Sequence, residues 1–381
     1  MPVEIHPVGS RQELNEFIEL PFRLHSTSTQ WVPPLRLERH AYLSRKLNPF
    51  FGHGDAKYFL ARRDGRVVGR ISAQIDDNFN AYHGSKWGNF GFLELEDDPE
   101  VMAALLGAAE DWLRARGMES AVGPFDLTMN EEAGVLIEGF EHVPSIRTPW
   151  HPPYYQRLCE QAGLEKAVDL FMWDLDVGRR KNILPIIFEL DKVAREQHGI
   201  RIRKMTRRTL RQDLEAFQEV YNAAWSKNWG FVPYSEEDLD AYAWDMQLVF
   251  HPDWFMVAET PDGEVAGVAI SPLDVNQVLK EMGGRLLPLG WWKFLNRERY
   301  IDRVRVGFLG VHPKHQNTGV SASLYIEHYD MAAKGRVYRG ELGWILEDNP
   351  INKGMEALGG TVIRKLRVYR RSLTESSGEA V

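Results

Sequence analysis

One short pattern occurs twice in this chain. Phe59–Gly69 reads FLARRDGRVVG, and Phe255–Gly267 reads FMVAETPDGEVAG. Each places an Asp-Gly pair between runs of apolar β-formers, the strongest short-range signal for a two-stranded hairpin. The aspartates, Asp64 and Asp262, stand 198 positions apart. A second pair of markers follows: Gly163 and Gly359, each after a short helical stretch and before a β-rich one, are 196 apart. Two markers at nearly one offset mean a duplicated domain, since a solenoid repeats every ~20–50 residues. At 381 residues the chain has room for two cores of roughly 150 residues each.

Both halves predict the same order of elements. The first has a strand at 3–8, a helix at 12–22, the hairpin, a strand at 89–95, a helix at 99–116, a strand near Ala121, a helix at 154–162 and a strand at 169–175. The second has a strand at 200–205, helices at 209–227 and 236–250, the hairpin and one strand from Val304 to Val311. An amphipathic helix from Val320 to Lys334, a strand at 341–346, a helix ending at Leu358 and strands over 361–370 complete it. The expected class is α/β (α+β): two tandem domains, each a mixed central sheet flanked by helices. The domains are placed at 1–177 and 200–373, with a linker and connecting helix at 178–199 and a disordered tail at 374–381.

Hydrophobic residues make up 44% and charged residues 26%, with a net charge of −8. That balance fits a folded protein and argues against a nucleic-acid partner, which requires clustered cations. The single cysteine, Cys159, excludes an internal disulfide and a cysteine-rich zinc site, and no metal is expected. No run reaches the ~18 apolar residues of a membrane span, and no signal pattern opens the chain, so a cytoplasmic location is expected.

The most chemical stretch is Val311–Ser321, VHPKHQNTGVS. A strand runs into a glycine-containing loop that opens a helix, gathering unpaired N–H groups at the positive end of the helix dipole. Such a nest holds a diphosphate. The spacing Gln316-x-x-Gly319-x-Ser321 matches neither Gly-x-Gly-x-x-Gly nor the nucleotide-triphosphate loop. It resembles the Gln/Arg-x-x-Gly-x-Gly/Ala loop with which the GNAT superfamily of acyl-CoA N-acyltransferases binds the coenzyme A diphosphate, Ser321 replacing the last small residue. Glu341–Asn349, the Leu358-Gly359-Gly360 turn and Arg367–Arg370 also resemble that family, so the likeness covers about 201–371. The first half has Glu94, Glu96, Asp97, Asp98 and Glu100 where the loop belongs, carboxylates that repel a diphosphate, and Pro99 removes a donor. Coenzyme binding is therefore expected in the second half only, a division of labour similar to that of tandem members such as mycothiol synthase.

The resemblance implies acetyl-CoA or a longer acyl-CoA as co-substrate and direct attack by an amine. The pantetheine arm is expected along Leu309, Gly310 and Val311, and the diphosphate at Gln316, Asn317, Thr318, Gly319, Val320 and Ser321. Asn349 is expected to touch the pantetheine or cap the next helix. The general-base candidates are Glu341 and then Glu347, although exposed glutamates most often only solubilise. His312 and His315 flank the loop. The family's tyrosine acid has no counterpart, since alignment on Leu358-Gly359 puts Met355 there; Tyr325 and Tyr329 read better as core residues. Met282–Leu295, with adjacent Trp291 and Trp292 and flanking cations, reads as a buried insertion, an apolar lid or a membrane-facing segment. With the tandem layout it resembles bacterial acyltransferases of the ceramide-synthase type. Trp150–Tyr155 is a second aromatic run suited to a cavity wall. The expected acceptor is a small or lipid-like amine, with peripheral membrane contact allowed. A non-catalytic acyl-CoA-binding protein and an aminoacyl-tRNA-dependent peptide-bond former are the rival readings.

Overall fold

The computed structural model describes residues 2–374, without the side chains of 236, 241, 244, 245 and 248. The expected tail at 374–381 lies, from 375 on, outside the described residues. The chain divides into two compact units. The first comprises 1–170, 282–288 and 364–381; the second comprises 171–281 and 289–363.

The first unit begins with β1 (Glu4–Pro7) and α1 (Arg11–Leu24). Ser10 and Glu13 cap α1 reciprocally, Ser10 accepting from the Glu13 N–H and Glu13 from the Ser10 N–H, which satisfies donors a helix start leaves open. Then come α2 (Arg36–Tyr42), β2 (Gly54–Arg63), β3 (Arg66–Asp76), α3 (Asp77–His83), β4 (Trp87–Leu95), α4 (Pro99–Arg114), β5 (Ser120–Gly123), β6 (Val135–Glu138), α5 (Tyr154–Gln161) and β7 (Glu165–Asp176). The β2–β3 hairpin turns at Asp64 and Gly65, both left-handed (φ 54° and 75°), as its Asp-Gly pair predicts. β1, β2, β3 and β4 run antiparallel, and β5 joins β4 parallel. On α4, Val101, Met102, Leu105, Leu106, Ala109 and Leu113 recur at helical spacing and are buried; α4 covers β3 and β2, while α1 packs on the same strands with Phe17 and Ile18 buried.

The second unit takes β7 from Phe171 onward. It continues with α6 (Pro185–Lys192), β8 (Arg201–Lys204), α7 (Leu210–Trp225), α8 (Glu236–Val249), β9 (Phe255–Glu259), β10 (Val265–Ile270), α9 (Asn276–Met282), α10 (Gly290–Leu295), β11 (Arg303–Val306), β12 (Phe308–Val311), α11 (Val320–Ala332), β13 (Arg339–Leu346), α12 (Ile351–Ala357) and β14 (Thr361–Ser372). β8, β9, β10 and β12 form an antiparallel set, and β11 pairs with β13 parallel. β14 from Arg364 onward is counted in the first unit, where it lies beside β5 and β6. The fold is thus the expected one, two GNAT-like units with mixed sheets and flanking helices.

Three local expectations are corrected. The single strand over 304–311 is two strands, parted at Gly307 and differing in partners. The connecting helix expected within 178–199 is a 3-10 turn at Arg180–Asn182, then α6, then a π-turn at Val193–Gln197. The helix after Gly319 is not amphipathic: α11 is buried on nearly every face, because α6 covers the side turned away from β10.

Candidate active site

The break at Gly307 makes the site of the second unit. Val304, Arg305 and Val306 face Gly340, Glu341 and Leu342 across parallel hydrogen bonds. One residue further on, β12 pairs only with β10, Leu309 facing Ala269, Gly310 facing Val268 and Val311 facing Gly267. The two strands part, leaving a wedge between β12 and the end of β13. Arg305 closes its apex by donating to the Gly343 carbonyl at 3.2 Å. A strand edge with open N–H and C=O groups is a template for an extended amide-containing ligand. Gly310 is buried because the Trp225 indole lies against it; a Cβ there would run into the ring. Trp225 stacks on Tyr221 at 5.3 Å, and Phe217 meets Phe308 at 5.0 Å, so an aromatic cluster backs this strand.

β12 leads through the 3-10 turn Pro313–His315 into α11. Gln316 and Asn317 are exposed, Thr318 and Ser321 half-buried, Gly319 and Val320 buried. The Thr318 hydroxyl donates to the His315 carbonyl at 2.5 Å, which fixes the loop. Gly319 is required twice. Its φ of +83° is left-handed, and a Cβ would meet the Leu190 carbonyl. The helix start has no side-chain cap, and the N–H groups of Thr318, Gly319, Val320, Ser321 and Ala322 have no acceptor among the described residues. Five consecutive open donors at a helix N-terminus form an anion cradle. His315 lies 3.6 Å from Glu264, and the His312 ring accepts from the Lys314 N–H at 3.3 Å.

The candidate bases are separated by burial. Glu341 is fully buried, 3.2 Å from the Arg303 guanidinium, which also binds Asp274 at 2.8 Å. Glu347 is half-buried just past β13. Asn349 accepts from the Ile351 N–H at 3.0 Å, two residues on, ahead of Pro350 at the start of α12. Met355 is buried. Tyr329 donates to the Leu358 carbonyl at 3.0 Å, and burial pushes its phenol up to about 12; burial also raises Tyr325. Both are core residues, as expected. Sequence reading missed Trp225, whose only signal was its place at the end of a helix. It also missed the buried pair Ser271–His328 (2.8 Å), where burial pushes the imidazole down to about 4.

The first unit holds the equivalent parting of strands, filled differently. β4 pairs with β5 only over Trp87–Asn89, after which Phe125 donates to the Phe90 carbonyl at 2.8 Å and Asp126 accepts from the Phe92 N–H at 3.2 Å. These two residues cross the gap and leave a cavity of about 70 Å3, lined among others by Trp31, Arg70, Glu94, Glu132, Trp150 and His151. Glu94 is buried and bound by His25 and the Tyr155 hydroxyl, each at 2.7 Å. Burial opposes its charge, but His25 and Arg70 outweigh that and hold the carboxyl down to about 2. Burial, with Glu132 close by, pushes Asp126 well above the ordinary carboxylate range. Burial pushes His151 down to about 4. At the start of α4 the donors are already used: Asp98 accepts from Glu100 (2.9 Å) and Val101 (3.4 Å), and Pro99 has no N–H. Among the described residues no cluster of three or more His, Cys, Asp or Glu is arranged to hold a metal.

The fold that carries this wedge and helix start is that of known GNAT proteins. A tandem GNAT protein of the clavulanic acid pathway superposes with a TM-score of 0.58 at 14% identity, covering 98% of this chain and 99% of the other. A GCN5-related N-acetyltransferase from Sphaerobacter thermophilus gives 0.54 at 11% identity over 97% and 96%. No protein-family model matches the chain. Full-length sequence relatives do: bacterial ceramide synthase of Caulobacter vibrioides is 37% identical over 97% of this chain and 98% of its own length. Protein YghO of Escherichia coli is 32% identical over 96% and 94%. Fold and relatives together support an N-acyltransferase in the general sense. The chain belongs to the family of bacterial ceramide synthase.

Proposed function

We propose that this protein transfers an acyl group from a coenzyme A thioester to an amine, and that the second unit alone carries the coenzyme and the chemistry. The observation that carries this reading is the row of five open N–H groups around Gly319, at the end of a strand whose outer edge is also open. The diphosphate of coenzyme A sits on Asn317–Ser321, with Gln316 beside it. The pantetheine runs back along Val311, Gly310 and Leu309, its amides pairing with the β12 edge. The thioester then lies near Gly307, where β12 and β13 part, and a β12 N–H polarises its carbonyl. The amine attacks that carbon directly, loses a proton, and the thiolate leaves protonated. Cys159 takes no part: it is buried, and burial raises its thiol to about 12.

Glu341 faces Arg305, one pair before the strands part, and stands nearest the reacting carbon; Glu347 stands at the wedge mouth. Glu341→Gln and Glu347→Gln separate them. The substitution that removes the base lowers kcat more than 100-fold at unchanged KM for acyl-CoA.

The aromatic cluster of Phe217, Tyr221, Trp225 and Phe308 favours a long acyl chain and a lipid-like amine over acetyl transfer, in keeping with the name of the Caulobacter relative. Purified protein with acetyl-CoA or palmitoyl-CoA and a panel of amines, assayed for free thiol, tests the reaction. Thiol release that requires the amine and is faster with palmitoyl-CoA supports the reading; acyl-CoA binding with no amine-dependent thiol marks a binding protein instead.

A further inference from the structure

The segment Leu289–Tyr300 of the second unit remains outside the site described above. Among the described residues thirteen large hydrophobic side chains are exposed, and five of them fall in these twelve positions. Leu289 is 71% exposed, Leu295 67%, Trp291 and Trp292 47% each, and Tyr300 42%. Trp291, Trp292 and Leu295 of α10 stand at i, i+1 and i+4, within one arc of about 100° on a helix. The core-insertion expectation fails for these side chains, which are in water. The same stretch has Lys293, Arg297 and Arg299 against a single acid, Glu298. Lys293 is bound to Glu281 at 2.8 Å, Arg297 lies 5.0 Å over the Phe294 ring, and Arg299 is exposed.

Contiguous exposed apolar side chains rimmed by polar ones mark an interaction surface. The chemistry of this one selects its occupant. A second copy of the chain placed face to face would bring the same cations together around a twofold axis. An anionic lipid surface satisfies both features: indoles and leucines enter the boundary between headgroups and acyl chains, and the guanidinium groups meet phosphate. No helix among the described residues is long and apolar enough to cross a membrane, so the contact is one of lying on the surface.

We infer that Leu289–Tyr300 docks the protein on an anionic bilayer through Trp291, Trp292 and Leu295, with Arg299 reading the headgroup charge. This docking is independent of the acyl-transfer reading and is tested without coenzyme or amine. Full-length protein is floated with phosphatidylcholine vesicles containing or lacking 30% phosphatidylglycerol. Wild type floats with the anionic vesicles and at least tenfold less with neutral ones. The triple variant Trp291→Ser, Trp292→Ser, Leu295→Ser loses at least 20-fold in partitioning at unchanged melting temperature. Arg299→Glu loses severalfold on anionic vesicles only, and Leu184→Ser with Ile186→Ser, two other exposed positions, changes nothing. The inference is overturned if wild type does not float or the triple variant floats like wild type. It is equally overturned if light scattering shows a wild-type dimer that the triple variant converts to a monomer.

Discussion

The starts of α4 and α11 are the same corner of the same fold, and they treat their backbone donors in opposite ways. In the first unit, Asp98 accepts from the two N–H groups at the helix start, while Pro99 supplies none. In the second, Gly319 supplies no side chain and five donors stay open. The wedges behind them differ likewise: Phe125 and Asp126 fill the first, and none of the described strands pairs with the outer edge of β12 in the second. A carboxylate within the chain can replace a ligand's phosphate, and once it does the corner becomes structural. One duplicated framework can thus yield a half with an open corner and a half with a closed one through a few residues at one turn.

The strongest test of the structural half is Glu94→Gln. It leaves the buried His25 and Arg70 facing a neutral amide, and removing one partner of a buried ion pair costs about 3–5 kcal/mol. Chemical denaturation measures this; a loss under about 1 kcal/mol would mean the Glu94 cluster is not what stabilises the first wedge. For the binding half, Ser321→Glu places a carboxylate in the first turn of α11, imitating the first unit. Coenzyme A affinity by calorimetry falls at least 30-fold, about 2 kcal/mol, with the melting temperature unchanged; unaltered affinity removes Gly319 from the coenzyme site. A smaller effect comes from Asp98→Ala, which uncaps α4 at a cost of about 1–2 kcal/mol. It gains no coenzyme site, because Phe125 and Asp126 still cross the wedge, so a second equivalent of bound coenzyme would break the comparison.

The smallest expected effect is in the acid limb of stability. His151 titrates at about 4 when folded against 6.5 unfolded, so the stability of its neutral form is complete above 6.5 and lost as pH falls toward 4. Glu94, at about 2 against 4.5, contributes stability above 4.5 that is lost as pH falls toward 2. Unfolding free energies measured between pH 7 and pH 3 therefore decline in wild type and decline less below pH 4.5 in Glu94→Gln. Parallel curves would show that Glu94 is not the group responsible.

Both hairpins, the duplication and the glycine turn that opens α11 were legible because each rests on local chemistry: Asp-Gly turns, a glycine with positive φ, an uncapped helix start. The break at Gly307 was not, since Val304–Val311 is apolar throughout and only the change of partners from β13 to β10 divides it. The burial of α11 depends on α6, which a helical period cannot report. The charged cavity of the first unit assembles Glu94, Asp126 and His151, with His25 behind Glu94, from four distant stretches. Of these, His151 stood out beforehand through its aromatic run with Trp150, and Glu94 only as one of the carboxylates in place of the loop. The carboxylates at 94–100 were read as repelling a diphosphate; their pairing with His25, Arg23, Arg63 and Arg66 was beyond sequence spacing.

The allotment of β14 has a consequence for how the chain is made. A ribosome that has released the first 177 residues has delivered a sheet whose β5 edge still lacks its partners Arg370, Arg371 and Ser372. The opening half must therefore wait until residue 372 has been synthesised before its last hydrogen-bonded row can close. A truncation that removes Arg370, Arg371 and Ser372 would injure the half that was synthesised first.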